Sequence, residues 1–204
     1  QLGHETTPAL AQLYFASHLF YGVAALPYRR TGPVIALLVG TIGMTLSGGP
    51  TVGLALAVGS ALFIAYERRT PDAASDESPG YTRGALATMI AAALAAAALA
   101  LGLGLLQWKI QLPGHHPSSA SVLGDLRSQA KLLVWFTWPV WPLAIWTLWR
   151  WRRQLTARHV ALPFWFAMEP LAATWTTDYS DRSLLLALPA LATLAAFALP
   201  TFRR

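Results

Sequence analysis

The chain contains no cysteine, which excludes disulfides, thiolate catalysis and cysteine-ligated zinc. Charge is scarce, at 12% of the residues, and the mean hydropathy of +0.45 is well above that of a typical soluble chain. Only two lysines occur, Lys109 and Lys131, both in one polar stretch. A retinal Schiff base on a lysine of the last helix is therefore excluded. There is no internal repeat, no heptad pattern and no strand-like alternation long enough to compete with helix. An open sheet could not sit in lipid in any case, because its edge groups would lack partners.

What the sequence does have is long apolar runs, dominated by Leu and Ala. A helix crossing a hydrocarbon core of roughly 30 Å needs about 20 such residues. The runs are Pro8 to Pro27, Pro33 to Ser47, Thr51 to Tyr66, Ala85 to Leu106, Leu132 to Trp149, Val160 to Trp175 and Ser183 to Pro200. The second and third are short, at about 25 Å each, and a re-entrant hairpin is an alternative for them. The fourth is nearly all Ala and Leu, so neighbours can approach it closely inside a bundle. The expected fold is all-α: a polytopic membrane bundle of about seven transmembrane helices over 1–204. The chain starts on Gln1 without Met and ends on Arg203-Arg204, and it reads as a segment of a larger membrane domain.

Basic residues orient the bundle. If seven helices alternate sides, one side receives Arg29, Arg30, Arg68, Arg69, Arg83, Arg150, Arg152, Arg153, Arg158, Arg203 and Arg204. The other receives Lys109, Arg127, Lys131 and Arg182. The arginine-rich side is cytoplasmic by the positive-inside rule. The N-terminus is then outside and the C-terminus inside, with a cytoplasmic loop at 67–84 and an outer, periplasmic loop at 108–131. This topology also explains the net charge of +6 without nucleic acid as a partner.

The outer face collects His4-Glu5-Thr6-Thr7, the Gly48-Gly49 turn, the 108–131 loop and the segment from Thr176 to Arg182. Glu5 precedes Pro8 and either caps a helix start or presents a carboxylate to a cation, a sugar hydroxyl or a proton. Asp181 caps the seventh run or binds substrate, and Asp178 is harder to explain as a cap. Arg182 lies against the charge bias. It pairs with Asp178, or it holds a lipid phosphate through its guanidinium fork. His115-His116 reads as solvated loop. Inside the membrane, His18 and Glu169 stand out, because ionisable residues there are costly. For Glu169 the plain reading is a protonated carboxyl hydrogen-bonded inside the bundle, helped by the carbonyl that Pro170 leaves without a donor. Trp135, Trp138 and Trp141 are expected to pack in or against the bundle. Trp149 and Trp151, beside Arg150, Arg152 and Arg153, look like an interfacial belt.

The stretch Asp181-Arg182-Ser183-Leu184-Leu185-Leu186-Ala187-Leu188-Pro189-Ala190-Leu191-Ala192 resembles a helix opening in bacterial integral-membrane GT-C glycosyltransferases. These are the enzymes similar to 4-amino-4-deoxy-L-arabinose transferase and protein O-mannosyltransferases. His4-Glu5-Thr6-Thr7-Pro8-Ala9-Leu10 resembles the same family's acidic opening on the outer face, and the Trp-rich span to Arg153 has a similar character. The resemblance implies a multi-pass protein of the bacterial inner membrane. It would move a sugar from a polyprenyl-phosphate donor to an acceptor on the periplasmic face. It further implies Glu5 as a secondary acidic position of the active site and Arg182 as an outer arginine of the family's type. Taken with the residue reading, Glu5 is the candidate catalytic acid and a candidate ligand of a divalent cation cofactor, and His4, Asp178, Asp181 and Arg182 are the candidate substrate-binding residues. The family's principal catalytic acid would precede this segment, so the segment alone is expected to be inactive. The competing reading is a non-enzymatic membrane protein, a transporter segment or scaffold subunit, working through His18 and Glu169.

The topology makes a direct prediction. A cysteine replacing Ser119 should react with an impermeant thiol reagent in intact cells, and one replacing Ser75 only after permeabilisation. The reverse pattern would overturn the orientation.

Overall fold

Proline has no N–H to donate, so it fits the first turn of a helix, where that donor would go unused. The first helix, α1 (Pro8–Ala25), opens on such a residue. A second proline, Pro27, marks its end, since it cannot donate to the carbonyl of Val23 four residues back. That carbonyl instead accepts from the Tyr81 hydroxyl at 2.9 Å. α2 (Thr31–Leu46) stops at Gly48, whose φ of +87° is costly for any residue with a Cβ. The Gly49 N–H turns back to the Met44 carbonyl at 3.1 Å, closing a Schellman-type end. α3 (Pro50–Arg69) follows at once, again starting on proline. α4 (Arg83–Gly102) is capped by the Thr82 side chain, which accepts from the Ala85 N–H. It ends like α2: Gly104 is left-handed at φ +64° and the Leu105 N–H reaches the Ala100 carbonyl at 2.9 Å. The remaining helices are α5 (Val140–Arg150), α6 (Arg158–Thr176) and α7 (Ser180–Ala198).

The computed structural model describes residues 8–69, 79–105, 131, 134–135, 137–176 and 180–200, without the side chains at 171, 173–176 and 180–184. The described residues hold seven α-helices and no strand. Two compact units divide the chain, Gln1–Trp108 and Lys109–Arg204.

In the first unit α2 is central and packs against α1, α3 and α4. Its pairing with α1 is antiparallel and close. A Cβ built on Gly40 would lie 2.6 Å from the Leu19 backbone nitrogen, and one on Gly22 would lie 2.9 Å from that of Leu37. A Cβ on Gly43 would run into the Phe15 ring. At the far end Gln12 Nε2 donates to the Ser47 carbonyl at 3.0 Å. α3 meets α2 where Gly53 faces Met44. Buried hydroxyls are satisfied within their own helices: Thr41 donates to the Leu37 carbonyl, Thr45 to Thr41 and Ser60 to Leu56. On α4 the buried positions are Ala85, Met89, Ala92, Ala96 and Ala100, while Leu94 and Leu101 are 65% and 68% exposed. Apart from Met89, small residues face inward and large apolar ones outward, which differs from a soluble amphipathic helix and resembles helices that meet in lipid.

In the second unit α7 packs against both α5 and α6. Thr147 Oγ1 sits between the Leu143 carbonyl of its own helix at 3.1 Å and the Leu194 carbonyl of α7 at 2.7 Å. Ala187, Ala190, Leu194 and Ala198 line the buried side of α7.

Several expectations need correction. Only α3 and α4 among the described helices are both long and apolar enough to cross a membrane. α2, with 16 residues, is shorter. The fifth run is not one long helix: α5 has 11 residues, about 16 Å of rise, because a turn at 137–139 and Pro139 precede it. The fourth helix ends before the Leu106 expected from its apolar run. The 67–84 loop is shorter than expected too, since Glu67 to Arg69 form the last turn of α3 and Arg83 starts α4. Tyr81 within it is only 6% exposed and stacks edge-on near Phe63.

Gly40→Val should separate α1 from α2. Tyr81→Phe should leave the Val23 carbonyl buried without its donor, at a cost of about 1–3 kcal/mol. Reversible SDS-induced unfolding in mixed micelles checks both, and curves superposable on wild type would contradict this packing.

Candidate functional site

The residues proposed for the outer face are placed unevenly. His4, Glu5 and Asp178 lie outside the described residues, as does His115-His116. Asp181 and Arg182 fall in the first turn of α7, where an acid complements the helix dipole; their side chains are outside the description. The shared site expected of Glu5 with the Asp178–Arg182 segment therefore rests on sequence alone. Among the described residues no group of three or more His, Asp or Glu could hold a metal ion. The candidate cation ligand Glu5 is not one of them.

His18 and Glu169, the two candidates expected inside the membrane, are described and behave differently. His18 is half-buried on α1. Its Nδ1 lies 2.9 Å from the Tyr14 carbonyl, and a carbonyl only accepts, so Nδ1 carries the proton. The Tyr14 ring lies against the imidazole at 4.1 Å. His18 is thus held by its own helix, one turn back. Glu169 lies in α6, between the two internal prolines of that helix and beside the second, Pro170. Its Oε2 is buried and has no hydrogen-bond partner among the described residues. The bond to a carbonyl one turn earlier, expected from the sequence, is not made by that oxygen. An unpartnered buried oxygen of this kind is costly unless something binds it.

The tryptophans also depart from expectation. Trp135 and Trp138 do not pack inward; they are 86% and 67% exposed. Trp141 is more enclosed, and its Nε1 is buried without an acceptor among the described residues.

The feature that sequence reasoning undervalued is the end of α5. Residues Trp149 to Arg153, with Pro200 beyond α7, line an open groove of about 740 Å³. Trp146 and Trp149 meet at a tilt, their ring centroids 5.5 Å apart, and the Arg152 guanidinium lies 5.6 Å over the Trp149 ring, within cation–π range. Trp151 turns the other way, edge to face with His159 at 4.9 Å, and His159 in turn meets Phe197 at 5.7 Å. His159 is exposed overall, and the partial desolvation of its ring lowers its pKa below the ordinary value of 6.5. The signal was present in the order Trp-Arg-Trp-Arg-Arg. Five residues at a helix end place their side chains around one opening, and a belt reading treats them one at a time.

Comparison of the chain with protein families, curated proteins and solved structures returns no match.

His159 sits just before the apolar run that starts at Val160, and its titration should be visible in stability. With a lowered folded-state pKa, the stability contributed by the neutral ring is full above about pH 6.5 and is lost as pH falls through the folded value. The unfolding midpoint in micelles should therefore drop between pH 7 and pH 5, and less so in His159→Phe. An equal drop in the variant would assign the effect elsewhere.

Proposed function

We propose that this chain is a multi-span helical membrane protein and the membrane portion of a sugar transferase. The enzyme would take its sugar from a polyprenyl-phosphate donor and act on the periplasmic face of a bacterial inner membrane. One observation carries the membrane part. Many large apolar side chains, among them Leu10, Leu62, Leu94 and Leu101, remain exposed on the outer helix faces, although the interior is already filled by Leu19, Leu37, Met44, Leu56, Ile64 and several alanines. In water such a surface would be an extended apolar patch, which soluble monomers avoid. α3 and α4 meet the length and composition of a full span. Shorter helices are accommodated where the bilayer thins or flanking residues reach the interface. Arginines mark alternate helix ends: Arg29 and Arg30 between α1 and α2, Arg69 and Arg83 between α3 and α4, Arg150 and Arg158 between α5 and α6. The turn between α2 and α3 carries no charge. This alternation supports an outside N-terminus.

The transferase part is supported by the resemblance at two helix openings. Pro8 opens α1, and Asp181 and Arg182 lie in the first turn of α7, the positions the resemblance assigns to an acid-led helix start. A second reading, ion-coupled transport, is favoured by the buried Glu169 Oε2, which has no partner among the described residues.

The two readings separate in one assay. With the full-length protein in membrane vesicles, sugar transfer from the polyprenyl-phosphate donor should fall about a hundredfold or more in Glu5→Gln and in Arg182→Ala. It should persist in Glu169→Gln. A lost helix cap alone would change stability by about 1 kcal/mol and leave turnover intact. Wild-type turnover in both variants, at equal expression, would remove the transferase reading.

A further inference from the structure

We infer that the groove at the end of α5 binds a phosphodiester, and specifically the headgroup of an anionic lipid of the inner leaflet. Arg150, Arg152 and Arg153 line it together within four residues. None of the three makes an ion pair with a described residue. The one acid of the second unit whose side chain is described, Glu169, lies 11 residues into α6, about 16 Å along that helix. Three neighbouring guanidiniums with no carboxylate beside them among the described residues repel one another, and a bound anion relieves that repulsion. A helix C-terminus favours nearby cations, which accounts for Arg150 in the last turn. It does not account for Arg152 and Arg153, which follow the helix and still border the groove. Guanidinium forks match phosphate oxygens in pairs.

The walls select a lipid over a free anion. Trp149 and Trp151 flank the arginines, and indole rings favour the boundary between headgroups and acyl chains. Trp149 is 58% exposed, so it can lie along a glycerol backbone while the Arg152 guanidinium stays over its ring. A volume of about 740 Å³ exceeds what a single phosphate occupies and suits a headgroup. The inference rests on the membrane reading, with this helix end on the arginine-rich inner side.

The test uses the purified chain in a zwitterionic detergent. Retention of phosphatidylglycerol, phosphatidylcholine and inorganic phosphate is measured by native mass spectrometry, and resistance of the chain to alkaline extraction from membranes is measured separately. Wild type should retain phosphatidylglycerol in preference to phosphatidylcholine, and phosphate in about tenfold molar excess should not displace it. The double variant Arg152→Gln/Arg153→Gln should lose about tenfold in retention, the loss of a charge-assisted bond. Arg152→Lys/Arg153→Lys should fall between, because it keeps charge but not the fork. Arg68→Gln/Arg69→Gln, an equal charge change at the end of α3, should stay within about twofold of wild type. Equal losses in both glutamine variants would overturn the site in favour of general charge attraction. Displacement by inorganic phosphate would overturn the lipid assignment. Extraction of the wild-type chain at alkaline pH would instead count against the membrane reading, whatever the lipid result.

Discussion

The close approach of α1 and α2 is the constraint on which the first unit depends. With no disulfide and little charge, helices are held by surface fit. The fit here is made by removing side chains, because at Gly22, Gly40 and Gly43 a single Cβ would collide with the opposite helix. Close backbones gain dispersion contacts along the whole pairing, individually about 0.1–0.2 kcal/mol and large in sum. This matters most where the surroundings are as apolar as the side chains, since burial of Leu then gains little. It fits the place of α2, whose buried side carries Ala36, Gly40, Thr41, Gly43 and Thr45 and which packs extensively against all three others.

A second constraint follows from the first. Where such apolar helices pack closely, buried polar groups have no water at hand, so hydroxyls and freed carbonyls are met internally. Thr41, Thr45 and Ser60 do so by bonding one turn back along their own helices, which leaves their outer contacts purely steric. The carbonyl that Pro27 strands at the end of α1 is met from far along the chain by Tyr81. That bond ties the segment before α4 to the end of α1 and makes part of an apparent loop structural. Glu169 Oε2 departs from this economy, as do the Trp141 and Trp151 Nε1 groups among the described residues, and of the three only Glu169 is a carboxyl.

Most helix positions were legible because they depend on local rules. Pro8 and Pro50 start helices, Gly48 and Gly104 stop them, and apolar runs fill the intervals; the observed bounds differ from the runs by a few residues in six of seven helices. The fifth failed at a turn over 137–139, which its hydropathy did not mark; proline alone is no sufficient signal, since α6 continues through Pro163 and Pro170 and α7 through Pro189. The role of Tyr81 was not legible. Nothing near it in sequence says that a carbonyl 58 positions away needs a donor.

The same distinction governs the two candidate sites. An outer-face site built from Glu5 and Arg182 needs two helix openings far apart in sequence to meet, and local rules say nothing about such a meeting. Even a correct identification of each helix start leaves it undetermined. The groove at the end of α5 needs no such meeting. Its arginines and indoles are consecutive, and a helix that ends among them arranges them around one opening by backbone geometry alone, with Pro200 closing one side. Local clusters of this kind are therefore where sequence carries binding chemistry most directly. Here the missing ingredient was not distance but the counting of charges: three arginines with no described acid beside them ask for an anion, and a membrane surface supplies one.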